Sequence, residues 1–121
     1  MKTPQSGPSR QQEASCSCAP RSHPLDESSI ATDVELLATL ANETRYEILR
    51  IIADAKDDLC VCEIEPALDV SQGAVSQALA RLVSADLLER RKAGRWRYYR
   101  TTSRAEAIID LLDETQVSNH D

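Results

Sequence analysis

The sequence predicts a mainly α-helical domain with a single β-hairpin. Three observations carry that expectation. Apolar residues recur at helical spacing in several separate stretches between positions 34 and 112. Two short runs rich in β-formers flank a glycine near position 94. The first 30 residues are dominated by Ser, Gln, Pro and charge, with no apolar period, and cannot offset the entropy of ordering themselves.

Taken in order, 1–30 is expected to be a flexible arm carrying a pair of cysteines. From Asp33 the pattern changes: Val34, Leu36, Leu37 and Leu40 make a short amphipathic helix. Ala41-Asn42 interrupts it, and Asn42 or Thr44 is placed to cap the next helix, filled by Tyr46, Ile48, Leu49, Ile51 and Ile52. After the polar turn Lys56-Asp57-Asp58, a third helix is expected over 60–68, short or bent because Pro66 is comfortable only in a first turn. Ser71 caps a fourth helix running to about Ala85, with Val75, Leu79 and Leu82 turned toward the core. Leu87 to Arg91 and Arg95 to Tyr99 read as strands joined by a Lys92-Ala93-Gly94 turn, Gly94 supplying the left-handed conformation. Ala105, Ile108, Ile109, Leu111 and Leu112 form a last helix to about Thr115, beyond which 116–121 frays.

The chain has 121 residues, room for one domain of roughly 90 residues, here 31–115. A core that small is marginal alone, so burial of apolar helix stripes against a second copy is expected. The stripes that would otherwise stay wet are Val34 and Leu37 on the first helix and Ile108, Ile109 and Leu112 on the last. No segment has the length and apolarity of a membrane span or a secretion leader, which predicts a cytoplasmic protein without a membrane partner. The net charge of −6 conceals a strong partition. Arg90, Arg91, Lys92, Arg95, Arg97, Arg100 and Arg104 lie in an acid-free segment carrying +7, which leaves −13 for the rest. A basic stripe on an acidic body can dock on phosphates while the overall charge limits indiscriminate binding.

The four cysteines fall in two close pairs, Cys16/Cys18 and Cys60/Cys62. Without a secretion signal, such pairs favour metal or redox chemistry over a disulfide framework. Free cysteines are commonly small buried hydrophobes, but side chains two apart on a regular helix point about 200° from one another. Cys60 and Cys62 therefore cannot both face the core there. For the same reason, holding one soft ion between them is expected to distort the helix they start, just ahead of the fourth helix. No acid/base pair or organised nucleophile marks a catalytic site, and no organic cofactor is expected.

Helix, helix, helix, helix, hairpin, helix is the order of a winged helix-turn-helix. In four stretches the chain resembles the ArsR/SmtB family of metal-responsive winged-helix repressors. They are Leu40-Ala41-Asn42-Glu43-Thr44-Arg45, Asp58-Leu59-Cys60-Val61-Cys62-Glu63-Ile64, Ser71-Gln72-Gly73-Ala74-Val75-Ser76, and the hairpin Arg91-Lys92-Ala93-Gly94-Arg95-Trp96-Arg97-Tyr98-Tyr99. The Leu-Cys-Val-Cys core beside a helix-turn-helix is the specific part of the likeness.

The resemblance implies a homodimeric transcriptional repressor that binds double-stranded operator DNA without metal and releases it when Cys60 and Cys62 take up arsenite or antimonite. The fourth helix would enter the major groove, with Ser71, Gln72, Ser76 and Gln77 near base edges or phosphates and Arg81 further along. Arg91, Lys92 and Arg95 in the wing would meet the backbone or minor groove. Arsenic-type members carry a third cysteine where this chain has Glu65, so Cys16 and Cys18 are the replacement donors. Four sulfurs would instead suit Cd(II), Pb(II) or Zn(II), as in the cadmium/lead branch. A thiol redox regulator is the alternative in which the cysteines exchange electrons instead of holding an ion.

Overall fold

The computed structural model describes residues 18–116. Five helices and a three-stranded sheet enclose one core. Helix α1 (Glu27–Leu40) starts where the Asp26 carboxylate accepts the Ser29 N–H at 2.8 Å. It therefore begins inside the segment expected to be an arm, six residues before Asp33, because an N-cap aspartate and not the first apolar residue fixes the start. Arg45 turns the corner into α2 (Glu43–Asp54): its Nε donates to the Thr39 carbonyl at 2.7 Å, satisfying an end-of-helix acceptor. The Asn42 side chain accepts the Arg45 N–H at 2.9 Å, so Asn42 is the cap of α2.

The third helix departs from expectation. Leu59 and Cys60 form a two-residue strand β1, and only Val61–Ile64 is α-helical (α3), followed by a 3-10 turn Glu65–Ala67 that holds Pro66 in its first turn. Ser71 accepts the Ala74 N–H at 3.1 Å and caps α4 (Gln72–Ser84). Beyond α4, Asp86 takes a left-handed conformation at φ 61°, which lets the Leu87 N–H reach the Leu82 carbonyl at 2.9 Å.

Strands β2 (Leu88–Ala93) and β3 (Trp96–Thr101) pair with Ala93 opposite Trp96, so the turn is Gly94-Arg95. Gly94 sits at φ 64°, the conformation a glycine-first two-residue hairpin needs. Lys92, expected in the turn, is instead a strand residue opposite Arg97, and Arg95 stands at the tip. The sheet order is β1-β3-β2, all antiparallel. Thr102 caps α5 (Ser103–Thr115) by accepting the Ala105 N–H at 3.1 Å.

Ile48, Leu49 and Ile52 of α2, Ile64 of α3, Val75, Leu79 and Leu82 of α4, and Leu88, Tyr99, Ala105 and Ile109 form the buried core. Ile64 thus anchors the short helix behind the cysteines to the same core as α4. Among the described residues no helix is long and apolar enough to cross a membrane.

Candidate metal site and nucleic-acid interface

Cys60 is the N-cap of α3, not a residue within it, and this decides the geometry of the thiol pair. Its backbone is extended (φ −79°, ψ 149°), so the angular separation expected of a regular helix does not apply. The two Sγ atoms lie 2.9 Å apart, with the Cys62 thiol donating to Cys60. The expectation that a helix must distort to bring them together is therefore incorrect; they are already side by side. Cys60 Sγ also accepts the Cys62 N–H at 3.4 Å, and Glu63 Oε1 accepts the Cys60 N–H at 2.8 Å. This is a capping box in which cysteine stands where serine or threonine is usual. The Cys-x-x-Glu spacing was the available signal for Glu63.

Cys60 is 5 % exposed while Cys62 faces solvent. The hydrogen bond to Cys60 first, then desolvation and the charges of Cys60 and Glu63, hold the Cys62 thiol above its ordinary pKa. Cys62 is accordingly protonated at neutral pH, and its ligation to a divalent cation releases that proton. The pair opens on a cleft of about 590 Å³ walled by Asp58, Leu59, Glu63, Trp96 and Tyr98. Two thiols make a bidentate clasp for a thiophilic ion; no cluster of three or more His, Cys, Asp or Glu able to hold a metal occurs among the described residues. The chain's other two cysteines, Cys16 and Cys18, lie in the N-terminal segment. Cys18 is exposed there, and Cys16 lies outside the described residues.

The exposed side of α4 presents Gln72, Ser76, Gln77 and Arg81, with Ser71 at its start, while Val75, Ala78, Leu79 and Leu82 are buried. In the hairpin, Lys92, Arg95 and Arg97 are exposed. Arg91 is more constrained than a solvated wing residue: its Nε is 3.1 Å from Asp58 Oδ2, and its guanidinium lies 5.1 Å from the Tyr98 ring centroid. The surface stripes also divide. Val34 and Leu37 are 57 % and 64 % exposed, and Leu112 is 43 % exposed. Ile109 is a core residue at 7 %, and Ile108 is half-buried against that core. The expectation that Ile109 faces a second copy is thus wrong; Leu111, exposed, occupies the outer face that the helical period alone did not resolve.

Residues 42–90 match the family described as bacterial regulatory protein, arsR family. Over 104 residues the chain is 48 % identical to the putative arsenical resistance operon repressor ArsR2 of Halobacterium salinarum, spanning 86 % of each protein. It is 38 % identical over 82 residues to the arsenical resistance operon repressor of Escherichia coli, covering 67 % of this chain and 69 % of that one. Among solved structures, HlyU of Vibrio cholerae superposes with a TM-score of 0.64 at 35 % identity, covering 75 % of this chain and 98 % of that one.

Proposed function

The chain belongs to the arsR family of bacterial regulatory proteins, and on that footing we propose a metal(loid)-responsive repressor that leaves its operator when Cys60 and Cys62 capture arsenite or antimonite. The observation that carries the reading is the thiol pair in contact at 2.9 Å, one short helix and one turn ahead of α4. Soft, polarisable sulfur on two adjoining thiols suits a thiophilic ion, and its position ahead of the groove-reading helix couples capture to DNA. A third sulfur from Cys16 or Cys18 completes an arsenite site; both together would complete a four-sulfur site for Cd(II), Pb(II) or Zn(II).

In this reading the protein acts in the cytoplasm as a homodimer on a palindromic operator, with α4 in the major groove. Ser71, Gln72, Ser76 and Gln77 read or position it, with Arg81, Lys92 and Arg95 on phosphates. The contiguous apolar stripes on α1 and α5 support self-association.

The test begins with a duplex enriched by the ion-free protein from a random-sequence pool. Operator binding by fluorescence anisotropy is then titrated with arsenite, antimonite, Cd(II), Pb(II) and Zn(II), in the wild type, Cys60→Ser, Cys62→Ser and the Cys16/Cys18 double serine variant. Release by arsenite or antimonite, abolished by either Cys60→Ser or Cys62→Ser, is expected. Release by cadmium and not arsenite would reverse the choice of inducer. Loss of binding only on thiol oxidation would make it a redox regulator, and absence of any enriched duplex would remove the repressor reading.

A further inference from the structure

Taking Cys60 and Cys62 as the inducer site, we infer that Asp58, Tyr98 and Arg91 form a lateral relay that carries occupancy of the thiol pair across the sheet into the wing. The strand order β1-β3-β2 makes β3 the only strand between the cysteine segment and β2. Cys60 is registered opposite Tyr98, and Tyr98 opposite Arg91. Directly opposed residues share a face of a sheet, so these three form one row running from the thiols to the wing.

Two further contacts fasten that row. Arg91 Nε donates to Asp58 Oδ2 at 3.1 Å, and Asp58 lies one residue before β1 and two before Cys60. The same guanidinium packs over the Tyr98 ring at 5.1 Å. Of the basic wing residues, Arg91 is therefore the one whose position is set by the segment that carries the thiols. Arg100 is bound to Glu89 within the hairpin, and Lys92, Arg95 and Arg97 make no ion pair among the described residues.

The thiol pair moves this row for a simple steric reason. Its sulfurs touch at 2.9 Å, and Cys60 Sγ is also the acceptor for the Cys62 N–H. A chelated ion sits to one side of the S–S line with a bite wider than this contact, so the sulfurs must move apart, and the cap interaction weakens as that lone pair is taken. Ile64 holds the far end of α3 in the core at 0 % exposure. Displacement therefore falls on the outer end, on Cys60, β1 and Asp58, and through the ion pair on Arg91. With the pair empty, Asp58 and Tyr98 hold Arg91 midway along β2; with it filled, that hold is lost.

The relay is tested in the full-length chain by the ratio of operator Kd at saturating arsenite to Kd without arsenite. Saturation makes the ratio independent of ion affinity. It also cancels the uniform gain in phosphate attraction from removing an acid, because both states carry it. Asp58→Asn is expected to reduce the ratio about two- to fivefold, the range of an exposed ion pair, and Asp58→Glu to restore part of it. Arg91→Lys keeps the charge but loses the planar fork that stacks and donates, and is expected to reduce the ratio similarly, which covers the case that Asp58→Asn fails to fold. A second readout needs no DNA. Trp96, the sole tryptophan, lines the same cleft, and its arsenite-induced emission change is expected to shrink in both variants. A wild-type ratio well above one that persists unchanged in Asp58→Asn and Arg91→Lys would overturn the relay alone. A wild-type ratio of one with arsenite and every other ion would overturn the inducer reading, and the relay with it.

Discussion

At position 60 one atom serves two purposes, and substitutions separate them. The Cys60 sulfur caps α3 by accepting the Cys62 N–H and faces the neighbouring thiol. Serine offers an equally good cap acceptor and no soft ligand. Cys60→Ser should therefore leave the thermal midpoint close to that of the wild type while abolishing operator release, whereas Cys60→Ala should also cost about 0.5–2 kcal/mol from the lost cap. Chemical denaturation of both variants, set beside their release curves, checks this; equal destabilisation by serine and alanine would show that the sulfur does not cap. The neighbouring carboxylate gives a prediction that separates a neutral inducer from a cationic one. The contact with Cys60, reinforced by desolvation and by the charge of Glu63, favours the neutral Cys62 thiol. A dication displaces the thiol protons, so its affinity should climb as pH rises toward the raised Cys62 pKa and fall on the acid side; arsenous acid exchanges each hydroxyl for a sulfur with loss of water and no net proton release, so its affinity should stay flat there. Glu63→Gln keeps an oxygen to accept the Cys60 N–H but removes a negative charge, which eases thiol ionisation. Uncharged arsenous acid, whose capture releases water and no net proton, should then bind with nearly unchanged affinity at neutral pH. A dication should bind more weakly above the thiol pKa, where the lost attraction is not offset by easier ionisation. Thiolate charge-transfer absorbance across a pH series measures both; parallel shifts for arsenite and cadmium would remove Glu63 from the electrostatics of the pair.

At the level of elements, the hairpin depends on one backbone conformation. Gly94 holds φ 64°, and a Cβ built there would meet nothing within 4 Å. Gly94→Ala is thus a purely conformational perturbation of about 1–2 kcal/mol, expected to loosen the wing and weaken operator binding without disturbing the core. Amide exchange confined to β2 and β3 is the signature, and a global loss of protection would contradict it. Helix α4 and the wing should fail in different ways. Gln72→Ala or Gln77→Ala should relax base preference at single operator positions by about 1–3 kcal/mol. Lys92→Ala or Arg95→Ala should weaken all sequences alike and lower the salt slope by about one. These elements also show what a sequence exposes to reading. Helices α2, α4 and α5 were legible because Ile48/Leu49/Ile52, Val75/Leu79/Leu82 and Ala105/Ile109 recur at helical spacing; Val75, Leu79 and Leu82 are buried as expected, whereas Ile109, expected to face a second copy, is buried in the core. Strand β1 was not, because two residues display no alternation and its pairing is set by distant Tyr98 and Tyr99. The thiol geometry was misjudged for the same reason: treating Cys60 as helical set the sulfurs on opposite sides, and its extended cap conformation brings them together. The candidate ligands were legible from residue type and spacing alone, as was Glu63 from the Cys-x-x-Glu spacing, but Asp58 and Tyr98 around them needed the register.

The whole molecule is an acidic body with its basic charge gathered on the hairpin, and its outer helices leave apolar surface uncovered. Val34 and Leu37, with Ile30 one turn earlier, make a continuous stripe on α1; Leu111 and Leu112 expose a second on α5. A small domain that leaves these five large aliphatic side chains wet would gain stability from a copy of itself, and two copies would present two α4 helices to the two halves of a palindrome. Each α4 alone would hold half a site, so joining them converts the second contact into an intramolecular one, worth on the order of 10²–10⁴ in apparent affinity. Leu37→Glu places a charge in the proposed interface without touching the core, because Leu37 is 64 % exposed. The variant should remain folded and sediment as a monomer. Its affinity for the full operator should fall by about two orders of magnitude or more, with far less loss on an isolated half-site. Ile109→Ala is the contrasting case. That side chain is 7 % exposed among core residues, so its truncation should lower stability by about 2–5 kcal/mol through a cavity and alter self-association only secondarily. Sedimentation of Leu37→Glu as a dimer with wild-type operator affinity would place the interface elsewhere and leave the α1 stripe without a role in assembly.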